Sequence, residues 1–401
     1  MLFSFGMSFA YWASSISGNA DDGSGNVILG EWYDGIPIYT VDEFIAAMNI
    51  SGNTNTYVLA RDLDFQNLSY PTWNNNIATT FNGVFDGNGK TIANLSLTDY
   101  RGVFGILEGA TVKNLTLDNV NINYTVADTT TSGILAGRIQ GTGNIIENIR
   151  IKNSSSTNTS VFAGAIAGYA FPTSGTGTLT MSNIKVTGTT ITGGYSGNTY
   201  GNGGLIGTIG SFTANISDVY VESTVTSNSL TSSGGIIGAV LTTTTVNIDR
   251  AVVFSSVIVL SATNDSTVGS GGLVGRNQGT VTADDTFYTG FLRSYVTSAN
   301  TNSYTVRSGI LRATGNNITF TNSRSAQITI YRRSSNPAVL INSSTLYNKL
   351  TGQKATYSTS VYQTNRTSLS SSWWTTNYSN ITSLSTIWQY NSSTYLYELI
   401  D

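Results

Sequence analysis

The chain has 401 residues, only 10% of them charged, and a formal net charge of −3. It contains no histidine and no cysteine, which excludes disulfide bonds, zinc sites built on those side chains, thiolate nucleophiles and imidazole bases. A content of 39% hydrophobic and 11% aromatic residues still predicts a folded chain with a large core.

The charges are distributed unevenly along the chain. Residues 1–100 carry 2 basic and 10 acidic side chains, whereas residues 301–401 carry 8 basic and 2 acidic ones. Two interpretations remain open: uneven decoration of the surface, or two ends that attract each other between molecules. Because the chain as a whole is acidic, no nucleic-acid partner is predicted.

Residues 1–35 begin with the apolar run MLFSFGMSFAYWA and form the first predicted segment. Either it resembles the end of a secretory signal, with a small-residue cleavage site at Ser8-Phe9-Ala10 but no basic n-region, or it is an intermolecular strand. No later stretch reaches the ~18 apolar residues of a membrane span, so none is predicted in the mature chain. The candidate self-association residues are Leu2, Phe3, Phe5, Phe9, Tyr11 and Trp12.

A short amphipathic helix is predicted at TVDEFIAAMN, residues 40–49. Thr40 and Glu43 have the spacing of a capping box. A helix here would cover the N-terminal edge of a sheet, which otherwise presents unpaired backbone groups.

The stretch GVFDGNGKT, residues 83–91, has the composition of a phosphate-binding loop but not its spacing. The first glycine of such a loop would fall at position 84, which is Val84, and the residues that follow predict a strand rather than a helix. A calcium loop would need a glutamate where Leu97 stands. The stretch is therefore predicted to be a turn. Nearby, Asp62 and Asp64 are predicted to lie on one face of a strand. Either this face is solvated, or the two carboxylates form a pair that holds calcium or acts as acid and base.

A glycine-flanked aliphatic motif recurs through the middle of the chain, 31 to 39 residues apart. Its copies end at Gly105, Gly137, Gly168, Gly207, Gly238 and Gly275. Short apolar strands follow most copies, and no helix lies between them. Such units bury their apolar faces only by stacking, which predicts an all-β, right-handed parallel β-helix over residues 36–300. The uneven spacing disfavours an antiparallel sandwich.

Two sets of residues are assigned positions in this β-helix. The pairs Leu205-Ile206 and Ile236-Ile237 are predicted to line the interior, with their flanking glycines at the bends. Asn114, Asn148 and Asn183 recur at corresponding turns and are predicted to form a hydrogen-bonded amide ladder.

The repeat resembles the GLUG repeat of bacterial surface proteins. The resemblance rests on the glycine-flanked aliphatic pair followed by an Asn-apolar-x-apolar run, and on FNGVFDGNGKTIANLSL (81–97), which is similar to the rung that introduces those repeats. It covers residues 36–290, with an echo at residues 383–400. The resemblance implies a parallel β-helix in an exported protein and assigns no chemistry.

The triplet Arg150-Ile151-Lys152 resembles part of a polygalacturonase motif. In that family the triplet follows an Asp-Asp pair and a Gly-His-Gly, whereas here it precedes Asp284-Asp285 and histidine is absent. No catalytic residue is transferred on this resemblance.

Residues 301–401 are predicted to form a β-rich C-terminal cap or extension. Their end, WWTTNYSNITSLSTIWQYNSSTYLYELI, is rich in aromatic residues. These rings either cap the last rung or contact sugars or another subunit. The candidate contact residues are Trp373, Trp374, Trp388 and Tyr390.

These features predict a non-enzymatic structural protein, secreted or at the cell surface, that self-associates into a head-to-tail fibre or a surface layer. The alternatives are a monomeric surface adhesin or carbohydrate-binding module, and a polysaccharide lyase or hydrolase. No catalytic, cofactor-binding or metal-binding residue and no cofactor is predicted. The expected partners are copies of the chain itself and cell-surface glycans.

Overall fold

The computed structural model describes fourteen stretches of the chain: residues 33–68, 79–98, 101–124, 131–158, 162–194, 200–228, 231–261, 268–296, 307–309, 312–316, 318–334, 339–340, 362–363 and 369–401. The chain divides into two compact units, Met1–Tyr33 and Asp34–Asp401. Apart from Tyr33, the described residues all belong to the second unit. The six candidate self-association residues between Leu2 and Trp12 lie outside the described residues.

The described part of the second unit is built mainly of strands. Its helices are α1 Val41–Met48, α2 Ser371–Asn377 and α3 Ser379–Thr382. The strands of its first half are β1 Ile36–Ile38, β2 Thr56–Leu59, β3 Leu63–Asp64, β4 Thr80–Phe81, β5 Val84–Thr98, β6 Phe104–Glu108, β7 Thr111–Tyr124, β8 Ser132–Gly133, β9 Ala136–Gln140, β10 Asn144–Lys152, β11 Ser155–Asn158, β12 Ala163–Gly164, β13 Ala167–Ala170, β14 Gly177–Gly193, β15 Gly201–Gly203 and β16 Ile206–Ile209. The later strands are β17 Phe212–Ser227, β18 Ser232–Gly234, β19 Ile237–Val240, β20 Thr245–Ser261, β21 Gly269–Gly271, β22 Val274–Asn277, β23 Thr280–Val296, β24 Arg307–Gly309, β25 Arg312–Gly315, β26 Ile318–Thr321, β27 Arg324–Ser334, β28 Val339–Leu340, β29 Tyr362–Gln363, β30 Trp388–Asn391 and β31 Leu396–Leu399.

Three sheets of stacked strands form the body of this unit. The long sheet runs β1-β2-β5-β7-β10-β14-β17-β20-β23-β27, a second sheet β24-β21-β18-β15-β12-β8, and a third β25-β22-β19-β16-β13-β9-β6-β4. Neighbours along these paths pair in parallel, each strand beside its counterpart on the next rung. This confirms the predicted all-β parallel β-helix with an N-terminal helix and an aromatic-rich C-terminus. Parallel pairing continues past residue 300 into β27, and the division of the chain at that residue stays a prediction.

The interior consists of aliphatic columns, one residue per rung. On the long sheet one column contains Leu117, Ile151, Val186, Val221 and Val253, all of them fully buried. Burial of each such side chain stabilises the fold by about 1.5–3 kcal/mol relative to leaving it exposed. The predicted interior pairs Leu205-Ile206 and Ile236-Ile237 are also fully buried.

The glycines of the repeat are required by close backbone approach. A Cβ on Gly238 would lie 2.2 Å from the Asn202 nitrogen, and one on Gly234 would lie 1.9 Å from the Ile237 oxygen. Gly234 ends β18 and Gly238 is the second residue of β19, so the two glycines flank the bend between the two sheets of short strands. The motif therefore marks the sharp bends of each rung.

The predicted asparagine ladder is confirmed. Asn114, Asn148 and Asn183 have φ values of 54°, 51° and 54°, a left-handed conformation that asparagine tolerates better than most residues. The Asn148 amide donates to Asn114 Oδ1 (2.9 Å), and the Asn183 amide donates to Asn148 Oδ1 (3.2 Å). Below them Asn114 donates to Asp86 Oδ1 at 3.0 Å. The amides thus join one corner of four successive rungs.

The predicted capping helix is also confirmed, whereas residues 84–91 of the predicted turn lie within strand β5, which bends there at positive φ without ending. In α1 the Thr40 hydroxyl accepts from the Glu43 nitrogen (3.2 Å), and the Glu43 carboxylate accepts from the Thr40 nitrogen (3.0 Å). Phe44 of this helix packs edge-on against Phe85 and closes the N-terminal end of the core. The bend of β5 falls at Asn88 and Gly89, with φ 51° and 71°.

Asp62 and Asp64, the candidate carboxylate pair, accept hydrogen bonds from the neighbouring rung and from the turn that follows Asp64. Asp62 accepts from the Thr91 nitrogen at 2.7 Å. Asp64 accepts from the Asn94 amide at 2.9 Å and the Gln66 nitrogen at 2.8 Å. These hydrogen bonds hold the pKa of Asp64 below its usual value, and the bond from the Asn94 amide has the largest effect. The pair stabilises turns of the first rungs.

Substitution of Asn148 measures what the ladder contributes. Asn148→Ala removes the amide hydrogen bonds and leaves alanine at positive φ, so we expect the free energy of unfolding to fall by about 2–3 kcal/mol. Asn148→Gly removes the same bonds but adopts that φ freely, and should cost about 1 kcal/mol less. Urea denaturation of the three proteins gives both differences. An unchanged stability of Asn148→Ala would show that the ladder is not a stabilising element.

Candidate functional site

The outward face of the long sheet carries an apolar stripe between cations. Tyr220, Val252 and Phe287 are register partners on successive rungs, and all three are fully buried although they point away from the core. Arg150 and Lys185 precede them in the same column and Arg324 follows. Because parallel rungs repeat about every 4.8 Å, the column is a continuous ridge.

The C-terminal segment, residues 369–401, covers this stripe. Its buried side chains form one cluster with the stripe, separate from the interior core. The ring of Phe287 lies 4.9 Å from that of Trp374 and 6.1 Å from that of Tyr378, centroid to centroid. The members contributed by the segment are Leu369, Trp374, Tyr378, Ile381, Trp388, Leu396, Tyr397 and Leu399. The aromatic end of the chain therefore lies along the side of the β-helix.

The segment is folded by local signals as well as by this packing. The Ser370 hydroxyl caps α2 by accepting from the Trp373 nitrogen (3.1 Å), and β30 and β31 form an antiparallel hairpin that pairs Trp388 with Leu399. A helix as short as α2 is not stable alone in water. Burial of Trp374 against the stripe supplies the stability that a helix of this length lacks.

Charged residues replace asparagine in the ladder column beneath the segment. Asp218, Arg250 and Asp285 occupy the same corner as Asn183, with φ values of 53°, 50° and 45°. Arg250 Nε donates to Asp218 Oδ1 (2.7 Å), and its Nη2 donates to Asp218 Oδ2 (2.9 Å). An asparagine ladder uses its own donors and acceptors, whereas an aspartate has acceptors only. The substitutions leave oxygen lone pairs available to another element.

The C-terminal segment supplies donors to these carboxylates. Trp388 Nε1 donates to Asp218 Oδ1 at 3.1 Å, and the Asn380 amide donates to Asp285 Oδ2 at 2.5 Å. Asp218 is 7% and Asp285 3% exposed, so loss of either donor would leave a buried charge less well paired. These two contacts fix where the segment lies along the β-helix.

The electrostatics of the cluster follow from its burial. Burial raises the pKa of Asp249, Arg250 opposes that shift, and Asp218, Asp285 and Asp284 add to it. The hydrogen bond to Asp218 raises the pKa of Arg250 above its ordinary value. The guanidinium therefore stays protonated and neutralises part of the negative charge of a cluster of carboxylates that come from three successive rungs.

The basic residues at the other end of the stripe hold the end of the segment. Lys185 Nζ lies 2.9 Å from Asp401 Oδ1, and Arg150 Nη2 donates to the Ile400 carbonyl at 2.6 Å. Burial lowers the pKa of Arg150, and the Asp401 charge opposes this. Arg150 and Asp285 stand four rungs apart, about 19 Å. The fold therefore does not assemble the polygalacturonase-like triplet with the Asp284-Asp285 pair.

An open pocket of about 310 Å³ lies on the long sheet next to the segment. Its walls come from three successive rungs: residues 188–190 of β14, 222–224 of β17 and 254–256 of β20. The walls carry hydroxyl groups, one carboxylate (Glu222) and one aromatic ring (Phe254), and Phe254 also packs against the C-terminal cluster.

The four predicted contact residues of the C-terminus divide into two groups. Trp374 and Trp388 are buried in the interface, while Trp373 and Tyr390 are half-buried. Trp373 lies under the Arg324 guanidinium, 5.8 Å from its ring centroid. Contact of these residues with a sugar or a second subunit stays a prediction, and the two buried rings would make it only after the segment left the sheet.

Sequence reasoning missed Asp218, Arg250 and Asp285. Alignment of the rungs SNIKV (182–186), SDVYV (217–221), DRAVV (249–253) and DDTFY (284–288) places all three at the asparagine position. The exchange of an amide for a charge at a repeated corner was the available signal.

The described ranges hold neither a metal-ligand cluster nor a membrane-spanning helix. Across them, no three His, Cys, Asp or Glu side chains come together in a way that would hold a metal ion. Within the same ranges no helix has the length and apolarity to cross a membrane.

Comparison with known proteins gives a partial sequence match and a fold match. A family model described as the N-terminal region of the M26 IgA1-specific metallo-endopeptidase matches residues 38–153. The match is to an IgA1 protease region. It covers less than a third of the chain, from β1 to β10, and no curated protein matches the sequence.

Two solved structures share the fold. One, from Bacteroides ovatus at 1.30 Å resolution, is provisionally described as an immunoglobulin A1 protease; it is 15% identical, with a TM-score of 0.52 over 90% of this chain and 91% of that one. The other is an IgA1 protease, 14% identical, with a TM-score of 0.53. That alignment covers 83% of this chain but only 26% of that protein. At these identities the likeness establishes the fold alone.

These findings correct the functional interpretation of the sequence. The prediction of a non-enzymatic structural protein is wrong, because the family model that matches residues 38–153 describes a region of an enzyme, the IgA1-specific metallo-endopeptidase. The matched family is likewise not a GLUG-repeat family. The comparisons give no support to a filament or an adhesin.

Trp388→Phe tests the docking of the C-terminal segment. The variant keeps a buried ring but removes the donor to Asp218, so local opening should become about tenfold more frequent. Hydrogen–deuterium exchange of residues 369–401 measures this. Gln389→Ala, at the exposed neighbouring residue of the same strand, is the matched control and should leave exchange unchanged. Equal exchange in the wild type and in Trp388→Phe would contradict the role given to Asp218.

Proposed function

We propose that this chain takes part in proteolysis of the IgA1-protease type, and that its β-helix binds the immunoglobulin substrate through the outer face of the long sheet. The observation that carries the proposal is the family match over residues 38–153, which spans the capping helix and the first rungs. The fold likeness to two proteins described as IgA1 proteases supports it over most of the chain.

The metal of a metallo-endopeptidase does not fit the residues of this chain. Zinc peptidase sites use histidine with a carboxylate, and the chain has no histidine and no cysteine. The carboxylates that do gather, Asp218, Asp249 and Asp285, surround the Arg250 guanidinium. No step of peptide hydrolysis is therefore derived from these residues, and the proposal concerns substrate binding.

A β-helix suits the binding of a large protein substrate. Its rungs are joined by continuous backbone pairing and by the amide ladder, so its lateral face is rigid before contact. Binding to a preformed surface loses less conformational entropy than binding to a flexible one. The pocket beside the C-terminal segment gives this face a concave feature with polar and aromatic walls.

Extracellular localisation belongs to the same proposal, because immunoglobulin A1 is a secreted protein. The likeness of the repeats to GLUG repeats, and contacts with copies of the chain or with cell-surface glycans, stay predictions.

Binding of the full chain to purified human IgA1 tests the proposal. We expect a dissociation constant of roughly 1 µM or tighter, as for a specific protein interface, measured by biolayer interferometry. IgG and serum albumin are the control ligands and should bind at least tenfold more weakly. Incubation of IgA1 with the chain, with and without added Zn²⁺, reports cleavage on a gel in the same experiment. Absence of binding that distinguishes IgA1 from IgG would overturn the proposal.

A further inference from the structure

The pocket beside the C-terminal segment exists because one corner column of the β-helix ends there. In the earlier rungs this column contains Asn94, Asn119 and Asn153, all at positive φ, and the Asn119 amide donates to Asn94 Oδ1 at 2.8 Å. The next position is Gly188, with φ 58° and no side chain. The pairing of β14 with β17 shifts register at this point, between Val186 and Thr189. The missing side chain and the shifted register together leave a notch.

The notch is bounded by an acid and an aromatic ring on neighbouring rungs. Glu222 and Phe254 are register partners of β17 and β20, so their side chains leave the same face about 4.8 Å apart. Both are half-buried. A carboxylate beside a ring face is the combination that holds a long cationic side chain, since the ring contacts its methylenes and its charge while the carboxylate pairs with the head.

A row of hydroxyl groups forms the other side of the pocket. Thr190, Thr224 and Ser256 are successive register partners, and each hydroxyl both donates and accepts. A peptide backbone presents both amide and carbonyl groups, so it matches such a row better than an apolar ligand does. Among the described residues that line the pocket there is one carboxylate and no lysine or arginine, which disfavours an anionic ligand.

We propose that this pocket binds a lysine or arginine side chain of an extended peptide segment, with the cation between Glu222 and Phe254 and the peptide backbone along the hydroxyl row. The proposal rests on the proposed function only for the identity of the protein that carries the segment. It assigns to the long sheet a specificity for basic residues in the bound protein.

The direct test uses a synthetic peptide, acetyl-Ser-Thr-Lys-Thr-Ser-amide, and its counterpart with glutamine in place of lysine. Isothermal titration calorimetry on the full chain should show at least threefold tighter binding of the lysine peptide. Glu222→Gln should remove most of that preference. Glu147→Gln makes the same charge change at an exposed residue of the long sheet outside the pocket and should retain it. Equal affinity of the wild type for both peptides would overturn the proposal.

A second variant fills the notch without changing its charge. Gly188→Asn places at φ 58° the residue that the earlier rungs have there, and its Cβ would lie 3.1 Å from the flexible Asn153 Oδ1. We expect the fold to retain its melting temperature and the lysine peptide to bind at least fivefold more weakly. Unchanged binding with a filled notch would show that the peptide does not occupy this pocket.

The same variants separate this proposal from the proposed function. If IgA1 binds the wild type and Glu222→Gln equally well while the lysine peptide shows no preference, the pocket proposal fails and substrate binding stands. If the lysine peptide binds as expected but IgA1 does not, the pocket is a basic-peptide site and the IgA1 proposal fails.

Discussion

In-register parallel stacking of strands is the constraint on which the rest of this structure depends. Apart from the register shifts, the residues of the inner rungs of the long sheet have counterparts on the rungs before and after them, about 4.8 Å away. A single residue type that suits its corner or its face is therefore repeated into a column. Aliphatic columns make the core, asparagine columns tie the corners, and the outward columns set the character of each lateral face.

Departures from a column are where the molecule acquires features of its own. Asp218, Arg250 and Asp285 interrupt the asparagine ladder, and the two carboxylates accept hydrogen bonds from Trp388 and Asn380 of the C-terminal segment. Gly188 interrupts a second asparagine column, and a pocket opens beside it. In both places a change of one residue type in a repeat changes the hydrogen-bonding capacity or the volume of the surface, while the rungs themselves continue.

The C-terminal segment makes one lateral face unlike the others. It covers an apolar stripe that no core residue could cover, because Tyr220, Val252 and Phe287 point away from the interior. Buried carboxylates at one end and basic residues at the other fix its position. The adjacent pocket is lined by three successive rungs of the long sheet, and Phe254 of its wall also packs against the segment.

Much of the fold was determined by the sequence alone. Glycine-flanked aliphatic pairs at intervals of 31 to 39 residues, the capping box at Thr40 and Glu43, and the recurring Asn114, Asn148 and Asn183 predicted the β-helix, its first helix and its amide ladder. These features depend on local geometry and on the repeat, both of which are written along the chain. Only the tertiary structure decided that the aromatic segment lies on the side of the rungs, that Asp218 and Asp285 receive its donors, and that the polygalacturonase-like triplet does not meet Asp284-Asp285. The partners in those contacts stand up to 250 residues apart, and no local pattern or repeat specifies a pairing over that distance.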